Sequence, residues 1–433
     1  MMGQTNWSRW WVVGMVAWMG LGCGGEGEEE AVEAPGTLMS GAVEAETDPQ
    51  VSEEVFEAFA RDNRDFAFNL FEEIKDEEEG NLFVSPYSIS TALAMTYGGA
   101  DGTTAEEMAE ALRFQVGDDD LHPAFNRLER TLADRAEVEL EVANQTWGQE
   151  GYPFVEEYLN LLARHYGSGM YAVDFGEDPD GIRQGINDWV EARTAGHIKE
   201  LLPARSIDAL TRLVLVNAIY FNADWASPFS ASRTSTSSFE RVDGSSTEVE
   251  LMRHSDPVDA HHVDDGVSRG IAMPYEDGEM SMVAIKPVEA DGFSTWEDEM
   301  DRAYFDELVG AMDEQKGNIW FPKFVDEGGY SLVAPMRALG MEEAFDEGRA
   351  DFGKMVDLEA TDERPIITGI FHKTFVEVDE KGTEAAAATG VTVGPTSAPM
   401  VDFEVRFDRP FYYAIYDHGT ESILFMGRMM DPS

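Results

Sequence analysis

The chain of 433 residues carries 85 acidic against 31 basic side chains, a formal charge of −54, while its 43% apolar content is that of an ordinary globular protein. A charge of this sign and size keeps the surface solvated and disfavours nucleic acid or heparin-like polyanions as partners; it also suits a salty medium, where screening relieves the self-repulsion. With one cysteine, Cys23, no intrachain disulfide is possible, so packing alone must hold the fold.

In chain order, Arg9 and the apolar run Trp10–Leu21 have the layout of an export signal, and the run is too short to span a bilayer comfortably. It ends in Met19-Gly20-Leu21-Gly22-Cys23, which resembles a bacterial lipoprotein signal, although Gly20 stands where a branched aliphatic residue is common. Residues 1–22 therefore read as a signal peptide with Cys23 as the lipidated residue; simple secretion with a free Cys23 is the alternative. On the lipoprotein reading the chain is exported and anchored to the cell envelope or outer surface, and touches membrane only through that anchor. Residues 23–50 are acidic, small and aperiodic, the composition of a flexible tether. One domain follows over 51–433, without repeats or a second linker.

Within it, Val55, Phe59, Phe66, Leu70 and Ile74 recur at helical spacing, with Ser52 placed to cap. Asn81–Ser85 is a short buried strand ended by Pro86, and an apolar helix runs from Ser88 to Gly98 and Gly99. Thr103 and Thr104 with Glu106 and Glu107 form a capping-box pattern for the next helix. Val138–Trp147 reads as a strand, Ile186–Glu191 as part of a helix, and Leu213–Phe221 as a strand buried on both faces. His254, His261 and His262 lie in an Asp-rich stretch that reads as a solvated polar loop and not as a metal site. The sequence holds no G-x-S-x-G, H-E-x-x-H, Walker or dinucleotide pattern, and carboxylates are too many for any pair to signal acid–base chemistry.

Near the C-terminus, Phe371–Val378 and Val401–Phe407 alternate like strands. Between them, Thr383, Ala385, Ala387 and Thr389 form one small face and Glu384, Ala386 and Ala388 the other, a pattern that fits a half-buried strand. Gly390, Gly394, Pro395 and Pro399 give the same segment a loop's composition. Such a segment can be loop in one state and strand in another.

These stretches resemble the serpin family. Glu380-Lys-Gly-Thr-Glu-Ala-Ala-Ala-Ala-Thr389 looks like its reactive-loop hinge, and Phe407–Pro432 like its C-terminal signature. Asn81–Leu112, the run LVNAIYF with Trp225 and Phe229, Phe321-Pro-Lys-Phe324 and Ala350-Asp-Phe352 match in the family's order, covering essentially all of 51–433. The resemblance implies an α+β fold: a large central, mostly antiparallel sheet, further sheets, about eight to nine helices and an exposed reactive loop. It also implies a monomeric inhibitor, not an enzyme, that needs no cofactor or metal. Its partner would be a serine protease, trapped in a covalent complex when the cleaved loop inserts into the sheet; serpin loop insertion is a well-known switching transition. A non-inhibitory serpin acting as a surface binding protein is the alternative.

Family spacing puts the reactive bond about fourteen residues past Gly382, at Thr396–Ser397, whereas counting back from Phe407 lands near Pro399–Met400. A small β-branched residue after Val-Gly-Pro suits an elastase-like or subtilisin-like protease better than a trypsin-like one. By position, the hinge comprises Glu380, Gly382, Thr383, Glu384, Ala385, Ala386, Ala387, Ala388 and Thr389. Ser85, Ser88, Asn217 and His372 match a polar cluster under the sheet opening, Trp225 an aromatic where the loop enters, and Lys323 with Glu380 an exposed ion pair at the hinge base.

Overall fold

The computed structural model describes residues 32–433 apart from 77, 79, 290–291, 362 and 384–400. The chain begins with β1 (Thr37–Met39), α1 (Glu53–Lys75), β2 (Leu82–Val84), α2 (Pro86–Tyr97), α3 (Gly102–Ala111) and α4 (Asp118–Ala133). Next come β3 (Val138–Gln149), α5 (Glu156–Tyr166), β4 (Met170–Val173), α6 (Pro179–Arg193) and β5 (Leu213–Asp224). Five consecutive strands follow: β6 (Ser235–Glu240), β7 (Ser246–Arg253), β8 (Val258–Asp264), β9 (Ser268–Pro274) and β10 (Met280–Pro287). After α7 (Phe293–Glu299) and α8 (Arg302–Gly310) run β11 (Asp313–Pro322), β12 (Phe324–Ser331), α9 (Val333–Ala338) and a 3-10 turn at Glu343–Phe345. The chain closes with β13 (Ile367–Val378), β14 (Gly382–Thr383), β15 (Phe403–Arg406), β16 (Phe411–Asp417) and β17 (Ser422–Met429).

The strands form two sheets. One has seven strands in the order β1-β4-β3-β5-β14-β13-β12; the other has ten, β2-β17-β16-β10-β9-β8-β11-β7-β6 with β15 on β11. Most pairs are antiparallel, with β3–β4, β5–β13 and β11–β15 parallel. The fold is α+β, as the sequence implied.

Position in the sheet explains the apolar run of β5. Leu215, Ile219 and Phe221 join the main core with α1 and α2, while Val214, Val216 and Ala218 meet Trp147, Ile186, Trp189 and Val190 in a second core under α6. With both faces covered, alternation disappears. Ser52 caps α1, its Oγ accepting the Val55 N–H at 3.3 Å, with Glu53 and Glu54 in the first turn and Lys75 in the last, as the helix dipole favours. All of α2 is buried, and Pro86, expected to stop the strand, also opens this helix at its first turn.

Three expectations need correction. The capping box of α3 does not form: Asp101 is the N-cap and makes no side-chain bond. Thr104 instead accepts the Asp351 N–H at 2.9 Å, and Glu107 accepts the N–H groups of Glu342 and Glu343 at 2.9 and 2.6 Å. Tertiary donors without partners outcompete the local ones. Nor is the Asp-rich histidine stretch a loop. His261 and His262 sit in β8, His262 lies flat on Phe403 with ring centres 4.2 Å apart, and His254 is buried with Nε2 2.9 Å from Ser227 O.

The third correction concerns the tether, which is not free over 33–50. β1 pairs antiparallel with β4, Leu38 opposite Tyr171, and adds an edge strand to the seven-stranded sheet. Trp147 Nε1 donates to Pro35 O at 3.1 Å, Ala42 N to Asn160 Oδ1 at 2.9 Å, and Glu46 N to Arg164 O at 2.8 Å. Backbone bonds, not buried side chains, hold the segment, so its polar composition concealed the pairing. Deleting residues up to 50 is expected to speed amide exchange about tenfold at the β4 N–H groups facing β1, the effect of one lost ladder bond. Unchanged exchange in the shortened chain would restore the tether reading. Cys23 and the signal segment lie outside the described residues, among which no helix is long and apolar enough to cross a membrane.

Candidate functional site

The site lies where β5 and β13 part. Lower in the sheet they pair directly and in parallel, Leu213 to Tyr220 against Ile367 to Phe375. At the top β14 enters between them, Gly382 opposite Asp224 and Thr383 opposite both Ala223 and Val378. A Cβ on Gly382 would stand 2.2 Å from Ala223 O, so only glycine can approach this closely. Thr383 is fully buried and its Oγ1 lies 2.9 Å from the Tyr275 hydroxyl. Tyr275 stacks on Trp225, rings 4.7 Å apart and 9° from parallel.

Every carbonyl of the turn before β14 is taken up. Trp225 Nε1 donates to Asp379 O at 3.0 Å, Phe229 N to Glu380 O at 2.7 Å, and Trp225 N to Lys381 O at 2.7 Å. The Glu380 carboxylate meets Lys323 Nζ at 3.2 Å and accepts the Thr234 hydroxyl at 2.7 Å. Sequence suggested an exposed pair, but the Glu380 side chain is only 16% exposed and also holds β6's approach segment through Thr234. Burial opposes its charge, yet the Thr234 and Lys323 contacts prevail and hold the carboxyl below its ordinary range.

Six residues down β5, about 20 Å at strand rise, a polar rung crosses four strands. Asn144 on β3 faces Asn217 on β5, Asn217 faces His372 on β13, and His372 faces Tyr330 on β12. The backbone N–H of Ser85 donates to His372 Nε2 at 3.0 Å, so that nitrogen must be unprotonated. His372 Nδ1 therefore carries the hydrogen and donates it to Asn217 Oδ1. Asn217 Nδ2 donates to Ser88 Oγ and Asn144 Oδ1; Ser88 Oγ donates to Asn144 Oδ1 at 2.9 Å. Ser85 Oγ donates to Leu424 O at 2.6 Å and accepts from Ser88 N at 3.2 Å. The network is closed, and burial pushes the pKa of His372 down to about 3.

The structure thus brings Ser85, Ser88, Asn217 and His372 into one cluster, and Trp225, Lys323, Glu380, Gly382 and Thr383 into another. Glu384, Ala385, Ala386, Ala387, Ala388, Thr389 and the bond Thr396–Ser397 lie outside the described residues. Sequence reasoning missed Asn144, Tyr275 and Tyr330. Asn144 carried a usable signal, a polar side chain on the face of β3 that begins Val138, Leu140 and Val142. Tyr275 carried none, because its role depends on a contact with Thr383 more than a hundred residues away.

A serine protease inhibitor family model, that of the serpins, matches residues 61–432. The leukocyte elastase inhibitor of Xenopus laevis is 35% identical over 375 residues, covering 85% of this chain and 97% of its own. Serpin B10 of Sorex araneus is 32% identical over 406 residues, with 87% of this chain and all of its own covered. Among solved structures, the thermophilic serpin tengpin in its native state superposes with a TM-score of 0.79 at 28% identity, over 90% of this chain and 97% of tengpin.

Proposed function

The chain belongs to the serpin family of protease inhibitors, and we propose that it traps serine proteases irreversibly by loop cleavage and insertion of the loop into the seven-stranded sheet. The observation that carries this reading is β14, whose two residues already form the first rung of a strand between β5 and β13. Directly below, β5 and β13 hold each other in parallel. A chain entering from above runs antiparallel to both, and the better-aligned antiparallel ladder replaces one parallel seam with two antiparallel ones.

The target attacks the loop with its own nucleophile and forms an acyl-enzyme. Cleavage frees the N-terminal side to continue the strand begun at Thr383. About a dozen further residues at ~1 kcal/mol net per ladder bond supply on the order of 10 kcal/mol, enough to distort an enzyme whose stability is about 5–15 kcal/mol. The proposed bond is Thr396–Ser397 and the proposed targets are elastase-like or subtilisin-like enzymes. Support comes from the small residues after the hinge, from Pro395 as the end of an insertable strand, and from a relative named for elastase inhibition.

The test mixes the protein with elastase and with subtilisin at rising ratios, followed by denaturing gels and mass spectrometry. The expected result is an SDS-resistant complex together with a released peptide beginning at Ser397. Cleavage without trapping across both enzymes and a wider serine protease panel would favour the non-inhibitory surface binder.

A further inference from the structure

Acidic residues outnumber basic ones by 54 in this chain, yet one place in the ten-stranded sheet has cations in excess. Lys286, next to the last residue of β10, is only 7% exposed. Among the described residues its ammonium has no hydrogen bond and no ion pair. Arg269 on β9 is its direct cross-strand partner and so shares its face. The β10–β16 pairing ends with Ile285 opposite Tyr412, so the chain just before β16, which carries Arg409, comes up beside Lys286, and the Arg409 charge acts on its ammonium.

Arg406, at the end of β15, joins this group through Asp408: Arg406 Nε lies 2.9 Å and Arg409 Nε 3.4 Å from that carboxylate. Arg406 also donates to the Ser237 hydroxyl on β6. The other acid nearby, Asp264, is taken by Arg269 Nε at 2.7 Å. Four cations therefore share two carboxylates, and the most buried of the four has neither. Burial, then Arg409, lowers the Lys286 ammonium to about 8. An ammonium on a largely buried side chain, with more cations than carboxylates around it, is destabilised unless further negative charge is supplied.

We propose that Lys286, Arg269, Arg406 and Arg409 form a binding site for one small multivalent oxyanion of the phosphate or sulfate class. Guanidinium forks and an ammonium supplied by β9, β10, β15 and the turn before β16 suit the tetrahedral oxygens of such an ion, and two spare positive charges match its charge. The site differs from a polyanion surface: it is one small group of cations around a largely buried lysine, in a protein whose net charge repels long anionic chains. The bound ion ties the end of β15 and the start of β16 to β10.

Titration of the full chain with inorganic phosphate, in chloride buffer at constant ionic strength and pH 7, tests the site by calorimetry. Saturable binding of one phosphate per chain is expected, and sulfate should compete for it. Lys286→Met should weaken binding about tenfold or more, as befits the loss of a charge-assisted hydrogen bond. Arg269→Gln, at a side chain 40% exposed, serves as the second variant and should weaken binding even if the first fails to fold. No saturable heat with the wild-type chain would overturn the assignment. So would phosphate affinity unchanged in a folded Lys286→Met, or, if that variant does not fold, in Arg269→Gln.

Discussion

Replacing Thr383 by arginine is expected to turn the protein from an inhibitor into a substrate, cleaved by the same protease at a similar rate but no longer retaining it. Thr383 is fully enclosed between β5 and β13, with its hydroxyl on Tyr275. An arginine there must either bury a guanidinium without a partner or leave the sheet. Burying an unpaired charge costs about 3–5 kcal/mol, and placed on the insertion step that slows it about 10²- to 10⁴-fold. Deacylation then wins the race, and the yield of SDS-resistant complex should fall to a few per cent or less of wild type, an order-of-magnitude expectation from the same barrier. Thr383→Val is the control: it keeps the shape, loses only the Tyr275 contact at about 1 kcal/mol, and should still trap. Persistent trapping by a folded Thr383→Arg protein would mean that insertion does not proceed through this rung.

The small face that begins at Thr383 was legible in residue size, and Gly382 through its match to the family's hinge. The structure adds that Gly382 leaves no room for a Cβ and that Thr383 is buried between β5 and β13. The buried β5 was legible for a related reason, since covering both faces erases polar alternation and leaves an apolar run. Contacts that depend on distant partners left little trace. β1 pairs through its backbone while Leu38 stays 41% exposed, so nothing in the side-chain pattern distinguishes it from a tether. The α3 capping box looked right locally and failed because Thr104 and Glu107 satisfy N–H groups from a segment more than two hundred residues on. Asn144 falls between these cases. Its polarity was visible, but its purpose appears only when three strands align it with Asn217 and His372.

That alignment makes acid the natural probe of the sheet opening. His372 is buried and neutral, with its pKa lowered to about 3, and the unfolded chain binds the proton near the ordinary histidine value of about 6.5. A folded pKa below the unfolded one means that protonation favours unfolding. The contribution of His372 is therefore intact above about pH 6.5 and falls by about 1.4 kcal/mol per pH unit down to about 3, several kcal/mol in all. The proton has no place in the native network, because Nε2 faces the Ser85 N–H and a second hydrogen would point at the first. Glutamine at 372 lacks this liability but fits the rung less well. At neutral pH His372→Gln should be the less stable protein by about 1–3 kcal/mol, with a lower thermal midpoint at matched scan rate. Going down from pH 6.5 the wild type should lose that lead and fall below the variant before pH 4, the crossing set by the same linkage. His122, lowered to about 4 by burial, and Asp326, raised to about 6 by burial with the opposite sign, titrate in both proteins and cancel in the comparison. Profiles that stay parallel across the range would show that His372 is not the group that acid uses to loosen the seam between β5 and β13.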